Sequence, residues 1–364
     1  MSASLRISHL EKSFPNGKRV IRDVSFEVGA GEIVALLGPS GCGKTTTLRS
    51  VAGLEIPTGG TIEIDDRVVA APVQKIMVPP QDRNIGMVFQ SYAIWPHMTV
   101  AQNVSYPLRL RKNRRASIKS VETRLVEVLE LVGLLELRDR PATALSGGQM
   151  QRIALARSLI YEPSLILFDE PLSNLDIKLR LRLRDELRTI VKAAGMTALY
   201  VTHDQEEAIA IGDRIGVMKD GELIQIASAM ELYSKPANEF VADFTGATNV
   251  LTGVLRERVN GIGHIELADR SLVSARMVDQ LAPGAPVTIR FRPQDAKLRP
   301  SDNAGVPVQI MQSRFLGSTT SHTVNIAGAR IEAVEAGTCV NPEKLGEMRL
   351  FLDPATTWSY GRTA

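Results

Sequence analysis

Two short stretches of the chain have the residue types for gripping phosphate. Residues 38–46 read GPSGCGKTT, and residues 145–149 read LSGGQ. Each is small and glycine-rich and opens a helical-looking segment, so backbone N–H groups and a helix N-terminus can cradle an anion. The first satisfies G-x-x-x-x-G-K-[ST]. It follows the apolar run EIVALL and leads into KTTTLRSVA, the strand-then-helix context this motif requires. Gly38, Pro39, Ser40, Gly41, Cys42 and Gly43 would wrap the phosphates. Lys44 would neutralise the β and γ oxygens, and Thr45, with Thr46 beside it, would offer a hydroxyl to Mg²⁺. A third stretch, SLILFDE, brings Asp169 to the end of an apolar strand, where it can bind Mg²⁺ directly or through water. Glu170, next in line, can orient or deprotonate an attacking water. The chain therefore has two phosphate grips and one set of catalytic carboxylates.

The elements that must hold these residues form an alternating pattern. RVIRDVSFEV and EIVALL read as strands, and KTTTLRSVA reads as a helix stopped by Gly53. GGTIEIDDRVV and NIGMVFQ read as strands, and helical patterns dominate from about 100 to 160, including VETRLVEVLELVGLLEL. SLILFDE and TALYVTH are strands again, and RIGVMKDGELIQIA is a hairpin turned on Asp-Gly. This predicts a mixed α/β domain over residues 1–243 with an inserted helical block at about 92–160. Beyond FVADFTGATN the pattern changes to short alternating strands such as APVTIRFRPQ and SHTVNIAGARIEAV, cut by Pro, Gly, Asn and Asp. Residues 244–364 thus read as an all-β domain of small barrels.

Bulk composition excludes several classes. At 364 residues the chain suits two domains, and 44% hydrophobic with 23% charged residues is neither disordered nor membrane-embedded. No apolar run approaches the roughly 20 residues of a spanning helix, and the first residues lack the apolar core of a signal peptide. Two cysteines, Cys42 and Cys339, make a disulfide framework improbable and point to a reducing cytoplasm. Cys42 reads as a small residue filling the loop. A net charge of +3 does not imply a nucleic-acid partner. The basic runs at 108–120 and 178–188 read as solvated helix faces. In the second, Leu175, Leu179, Leu183 and Leu187 make a helical core stripe, with Gly195 as the stop.

With LSGGQ standing about twenty residues before LILFDE, and with Gln90 in MVFQ, SNLD at 173–176 and His203 in YVTHD following in register, the chain resembles the ATPase subunits of ABC transporters. The resemblance covers roughly residues 4–240. It implies that two such domains pack head to tail, each ATP lying between one subunit's phosphate loop and the other's signature loop. Ser146, Gly147, Gly148 and Gln149 would then grip ATP bound to a second copy of the chain. The remaining roles carry over by position. Gln90 would sense Mg²⁺ and the attacking water, and Asp176 would contact the opposite subunit. His203 would hydrogen-bond the γ-phosphate, and Phe14 would stack on adenine, where the family more often has tyrosine.

The β-rich tail resembles the OB-like (TOBE) regulatory domain of importer ATPases, most recognisably in IRFRPQDAKL and FLGSTTSHTVNI. An oligonucleotide-binding barrel is the other reading, but the tail offers few aromatics for stacking bases. In QSYAIWPHMTV, residues Tyr92, Ile94, Trp95, Pro96 and His97 form an apolar-aromatic cluster. The resemblance implies that a short helix of a membrane permease docks there. Trp95 reads equally well as core. Together with ELYSKPANEFVADF, this predicts a peripheral subunit on the cytoplasmic face of the membrane, working with a permease and, indirectly, a solute-binding protein. The resemblance leans to the ferric-iron and polyamine branches, with sugar importers next. Two rivals stand beside this reading. One is a soluble ABC ATPase acting on ribosomes or DNA. The other is a chiefly regulatory subunit whose β tail binds a protein or small effector.

Overall fold

The computed structural model describes residues 4–110, 118–300, 305–337 and 348–362. The chain divides into two compact units, Met1–Ala229 and Met230–Ala364. Residues 111–117 of the first basic run, and Cys339, lie outside the described residues.

The first unit begins with β1 (Leu5–Ser13), β2 (Arg19–Val28), β3 (Ile33–Leu37) and α1 (Lys44–Ala52). Strands β4 (Gly59–Ile64), β5 (Arg67–Ala71), β6 (Ile76–Met77) and β7 (Ile85–Val88) follow. Helices α2 (Val100–Leu110), α3 (Ile118–Leu131) and α4 (Gly147–Leu159) are consecutive and pack on one another. Then come β8 (Leu165–Asp169), α5 (Ile177–Ala193), β9 (Thr197–Val201), α6 (Gln205–Ile211), β10 (Arg214–Lys219) and β11 (Glu222–Ala227). All the strands join one sheet in the order β6-β5-β4-β1-β2-β11-β10-β3-β9-β8-β7.

Within that sheet β3, β9, β8 and β7 are adjacent and parallel. Every residue of β3, β8 and β9 is buried, so their sequences are nearly unbroken apolar runs without alternation. Parallel neighbours end at the same edge, and ligands of open α/β sheets sit outside the carboxyl ends of the strands. The phosphate loop leaves β3, Gln90 follows β7, Asp169 and Glu170 close β8, and His203 follows β9. Four separate sequence motifs thus emerge along one edge.

Two details position the phosphate-loop helix. Helix α1 ends at Gly53, which is left-handed at φ 80° and whose N–H returns to the last turn. The buried guanidinium of Arg83 caps the same end. Its Nη1 donates to the carbonyls of Ser50 (2.8 Å) and Val51 (2.9 Å), and its Nε to that of Val78 (2.7 Å). GGTIEIDDRVV, expected as one strand, folds into β4 and β5. Asp65 and Asp66 take φ of 51° and 58°, a local reversal that short polar side chains tolerate. The leucine-striped segment is helical from Ile177, as α5, with Leu175 in the turn before it and Leu179 half-buried. Leu175, Leu183 and Leu187 are buried, and the arginines of its outer face pair with Asp204, Glu206 and Asp213.

The second unit takes in the helices α7 (Ala229–Ser234) and α8 (Glu239–Phe244), before the expected start of the tail at residue 244. The reason is local. Arg290 reaches Glu239 and Asp243, each at 2.8 Å, and Trp358 and Tyr360 share a core with Ala242 and Ala247. The strands are β12 (Asn249–Val259), β13 (Ile262–Glu266), β14 (Leu272–Met277), β15 (Pro286–Phe291) and β16 (Lys297–Pro300). They continue with β17 (Val306–Phe315), β18 (Thr319–Ile326), β19 (Ala329–Ala336), β20 (Met348–Phe351) and β21 (Thr357–Gly361). Among the described residues one barrel closes, β12-β13-β14-β21-β15, because β21 pairs with both β14 and β15. The other strands make an open sheet, β16-β20-β17-β18-β19, where more barrels were expected. Phe291, Trp358 and Tyr360 are buried, so they offer no stacking platform for bases. Among the described residues no helix is long and apolar enough to cross a membrane.

Candidate functional site

At the carboxyl edge of β3 the chain turns through residues 38–43 into α1. Helices α4, α5, α6 and α8 begin on side-chain caps from Ser146, Asp176, Asp204 and Asn238. Helix α1 begins on Gly43, at φ 105°, with no side-chain cap. Its first-turn N–H groups are therefore left for an anion. The glycines are needed for close approach. A Cβ on Gly38 would lie 2.3 Å from the Met218 carbonyl oxygen, and one on Gly43 would lie 2.9 Å from that of Val20. Lys44 is buried, and its Nζ donates to the carbonyls of Gly38 (2.8 Å) and Pro39 (3.1 Å), which holds the ammonium across the loop. Cys42 fills the interior of the turn, 3.8 Å from Lys44 Nζ, and burial pushes its thiol pKa up. Pro39, Ser40 and Gly41 are exposed, while Thr45 and Thr46 are half-buried in the first turn of α1.

Asp169 lies buried beside that first turn. It accepts from Arg49 Nη2 at 3.3 Å and from the Thr45 side chain. Burial raises its carboxyl pKa, and Arg49 and Thr45 oppose the rise. A hydroxyl and a carboxylate side by side are the hard oxygen donors that suit Mg²⁺. Glu170 takes φ 47°, left-handed for a non-glycine residue, and is held there by its N–H to the Val201 carbonyl (3.1 Å). The Ser173 hydroxyl donates to the Glu170 carbonyl at 2.9 Å. The turn aims Glu170 Oε2 at His203 Nδ1, 3.1 Å away. Gln90 is exposed, and its carbonyl accepts from Asn174 Nδ2 at 3.0 Å, which ties the loop after β7 to the loop before Asp176.

The signature stretch also has a local role, which its Ser-x-x-Gln spacing encodes. Ser146 and Gln149 form a capping box: Gln149 N donates to Ser146 Oγ and Ser146 N donates to Gln149 Oε1. A Cβ on Gly147 would come 3.1 Å from Leu175, and one on Gly148 equally close to Leu183. These glycines therefore also let α4 pack closely against the Leu175 loop and α5. Asp176 caps α5, accepting from Leu179 N at 3.0 Å. Phe14 lies half-buried in the β1–β2 turn with Lys12 Nζ 4.8 Å from its ring centroid. Sequence reasoning missed Arg49, Asn174 and Arg83, each of which works through backbone or carboxylate contacts that no linear spacing marks.

Trp95 is neither buried core nor a free patch. It is half-buried, its ring 4.4 Å from that of Tyr106 and 4.8 Å from the Arg157 guanidinium. Arg157 also donates to the carbonyls of Tyr92 and Ala93, which fixes the turn before Trp95. Together with Leu54, Ile85, Phe89 and Tyr161, these rings line an open apolar groove of about 490 Å³ between the sheet and the helical block.

A phosphate cradle, a buried lysine, a carboxylate–hydroxyl pair and a second carboxylate bonded to histidine, all on one sheet edge, define a P-loop ATPase. Residues 21–173 match the family model described as ABC transporter. The trehalose/maltose import ATP-binding protein of Thermococcus litoralis is 54% identical over 239 residues, 65% of this chain and 63% of that one. The spermidine/putrescine import ATP-binding protein of Aliivibrio fischeri is 40% identical over 334 residues, covering 90% of this chain and 87% of its own length. The Fe(3+) ions import ATP-binding protein of Fusobacterium nucleatum is 40% identical over 337 residues, 92% and 87% of the two chains. Among solved structures, the dimeric, post-hydrolysis ATP-binding cassette MJ0796 bound to ADP and Pi aligns with TM-score 0.52 and 31% identity, over 62% of this chain and 98% of that one. The chain belongs to the ABC transporter family, as an ATP-binding subunit of the importer type, and is an ATPase.

Proposed function

We infer that two copies of this chain close head to tail around ATP and Mg²⁺ and that hydrolysis drives solute import through a separate permease. The observation that carries this reading is the mismatch between grips and carboxylates. Asp169 and Glu170 share one sheet edge with the phosphate loop, whereas Ser146–Gln149 open a different helix, α4, in the helical block. A second copy gives that second grip a nucleotide to hold.

Residues 38–46 and Lys44 bind the phosphates of the chain's own ATP, Phe14 meets its adenine, and Ser146, Gly147, Gly148, Gln149 and Asp176 face the partner's. Thr45, Asp169 and, from its loop, Gln90 would hold Mg²⁺, which when bound offsets the charge of the β and γ phosphates. Glu170 takes the proton of the attacking water, and His203, held at Nδ1 by Glu170 Oε2, presents its Nε2 edge to the γ-phosphate. The groove beside Trp95 receives a short permease helix, which keeps the subunit at the cytoplasmic membrane face. A solute-binding protein selects the cargo, here ferric iron or a polyamine. Nucleic acid is not a partner.

The test mixes subunits. Lys44→Ala disables the phosphate loop, and Ser146→Arg places a bulky cation in the signature. In the trans arrangement a heterodimer of the two has one site carrying both defects and one carrying neither, so it traps nucleotide at one interface when Glu170→Gln blocks hydrolysis. No trapped nucleotide in a verified heterodimer refutes the arrangement. Uptake assays with ferric iron, a polyamine and a sugar identify the cargo, and uptake of the sugar alone overturns the choice made here.

A further inference from the structure

Glu207 is a buried carboxylate that the reaction above does not use. It lies in the first turn of α6, packed towards β9, with about 5% of its surface exposed. Thr202 Oγ1 donates to its Oε2 at 2.7 Å, and the Tyr200 phenol donates to its Oε1. Tyr200 and Thr202 alternate along the strand direction, so both face α6. No lysine or arginine hydrogen-bonds this carboxylate among the described residues, and Arg180 acts on it only through space while pairing with Asp204 at 3.5 Å. Burial raises the pKa of Glu207 despite its two hydroxyl donors. A buried carboxylate without a bonded cation is costly, and a hydrophobic side chain of similar size would serve packing alone at least as well.

The hydroxyl that Glu207 holds is the link to the site. Thr202 Oγ1 also accepts from the N–H of Asp204, at 3.0 Å, so one hydroxyl brackets His203 on both sides in sequence. Thr202 N is anchored to the Leu36 carbonyl at 3.2 Å, and Glu207 N returns to Asp204 Oδ1 at 3.1 Å. His203 itself is exposed, and its side chain bonds to Glu170. Its direction therefore depends on a backbone corner that would be free to turn without this clamp.

We propose that Glu207 is a positioning residue for His203: through the Thr202 hydroxyl it fixes the peptide corner on which the imidazole is mounted, and so sets where the ring meets the γ-phosphate. The inference rests on the role given to His203 above. It is tested in the full chain with Thr202→Val, Glu207→Ala and Glu207→Gln. Tyr200→Phe, which removes the bond to Glu207 that does not touch the corner, is the control. The readouts are kcat and KM for Mg-ATP, thermal unfolding, and the imidazole NMR resonances of His203. Thr202→Val and Glu207→Ala should lower kcat about ten- to a hundredfold with KM within about twofold, the signature of a misplaced group. Their double variant should be no worse than the more severe single one. The His203 resonances should shift, Glu207→Gln should retain most of the rate because it keeps an acceptor, and Tyr200→Phe should turn over normally. Unmoved His203 resonances with normal turnover in Thr202→Val overturn the inference. So does a loss of rate that only follows loss of stability across all variants, Tyr200→Phe included. His203→Ala separates the two levels. If it turns over normally, the role of His203 falls and this inference with it. If it is inactive while Thr202→Val is not, this inference falls alone.

Discussion

Replacing Trp95 by alanine separates packing from docking, because the structure bounds how much packing the ring supplies. A fully buried tryptophan truncated to alanine costs about 3–5 kcal/mol. Trp95 is only half-buried, with one side on the groove. Its tilted contact with Tyr106 contributes about 0.5–1.5 kcal/mol, and the Arg157 guanidinium over its ring about 0.5–1 kcal/mol. Arg157 remains bonded to the carbonyls of Tyr92 and Ala93 after truncation, so the turn survives. These two ring contacts account for about 1–2.5 kcal/mol, and with only part of the ring's area buried the total should stay below that of a fully buried tryptophan, read as a drop in the thermal midpoint of the isolated chain. ATP binding should be unchanged. Co-purification with the permease should fall sharply, and hydrolysis should uncouple from transport in vesicles. A stable variant that assembles and transports normally refutes the groove as a docking site. A loss as large as that of a buried tryptophan refutes its open geometry.

Lys44→Ala should abolish hydrolysis and greatly weaken nucleotide binding, since the phosphates lose the cation that the loop carbonyls hold in place; wild-type-like turnover would remove that assignment. Glu170→Gln should lower kcat by about 10²–10⁴-fold while ATP still binds, as expected when a general base is removed and its shape kept; a rate within about threefold of wild type would contradict the role. Arg83→Met should destabilise the first unit by about 2–4 kcal/mol in denaturant titrations, because two carbonyls at the end of α1 lose a charged donor; an unchanged midpoint would show that the cap is dispensable.

What the sequence disclosed follows from the range over which each signal acts. The parallel strands were legible because burial on both faces leaves a continuous apolar run, as in IVALL and LILFD. The helix over 177–193 was legible because the run DELRTIVKAAG, ending at Gly195, settles for helix a leucine–arginine alternation whose own periodicity also fits a strand. That α7 and α8 go with the second unit is not legible locally, because it depends on Arg290 and Trp358, which reach back some fifty to more than a hundred residues to α8 and Ser234. The number of barrels was misjudged for a related reason. Closure depends on which strand β21 pairs with, and alternation within a strand says nothing about its neighbour.

The same distinction explains why the two phosphate grips looked alike in the sequence and differ in the structure. Both are glycine-rich turns into a helix, but their glycines serve different contacts. In the first, Gly38 and Gly43 admit the carbonyls of Met218 and Val20, and the helix start has no side chain to satisfy its N–H groups. In the second, Gly147 and Gly148 admit leucine side chains, and Ser146 with Gln149 satisfies part of the helix start internally. An uncapped start is the stronger anion site, because every first-turn donor is free for the ligand. A boxed start is partly satisfied already, so its contribution to binding must come from the remaining N–H groups and from the serine itself. The asymmetry suits one grip that holds nucleotide in the single chain and another that adds to it only when a second chain closes.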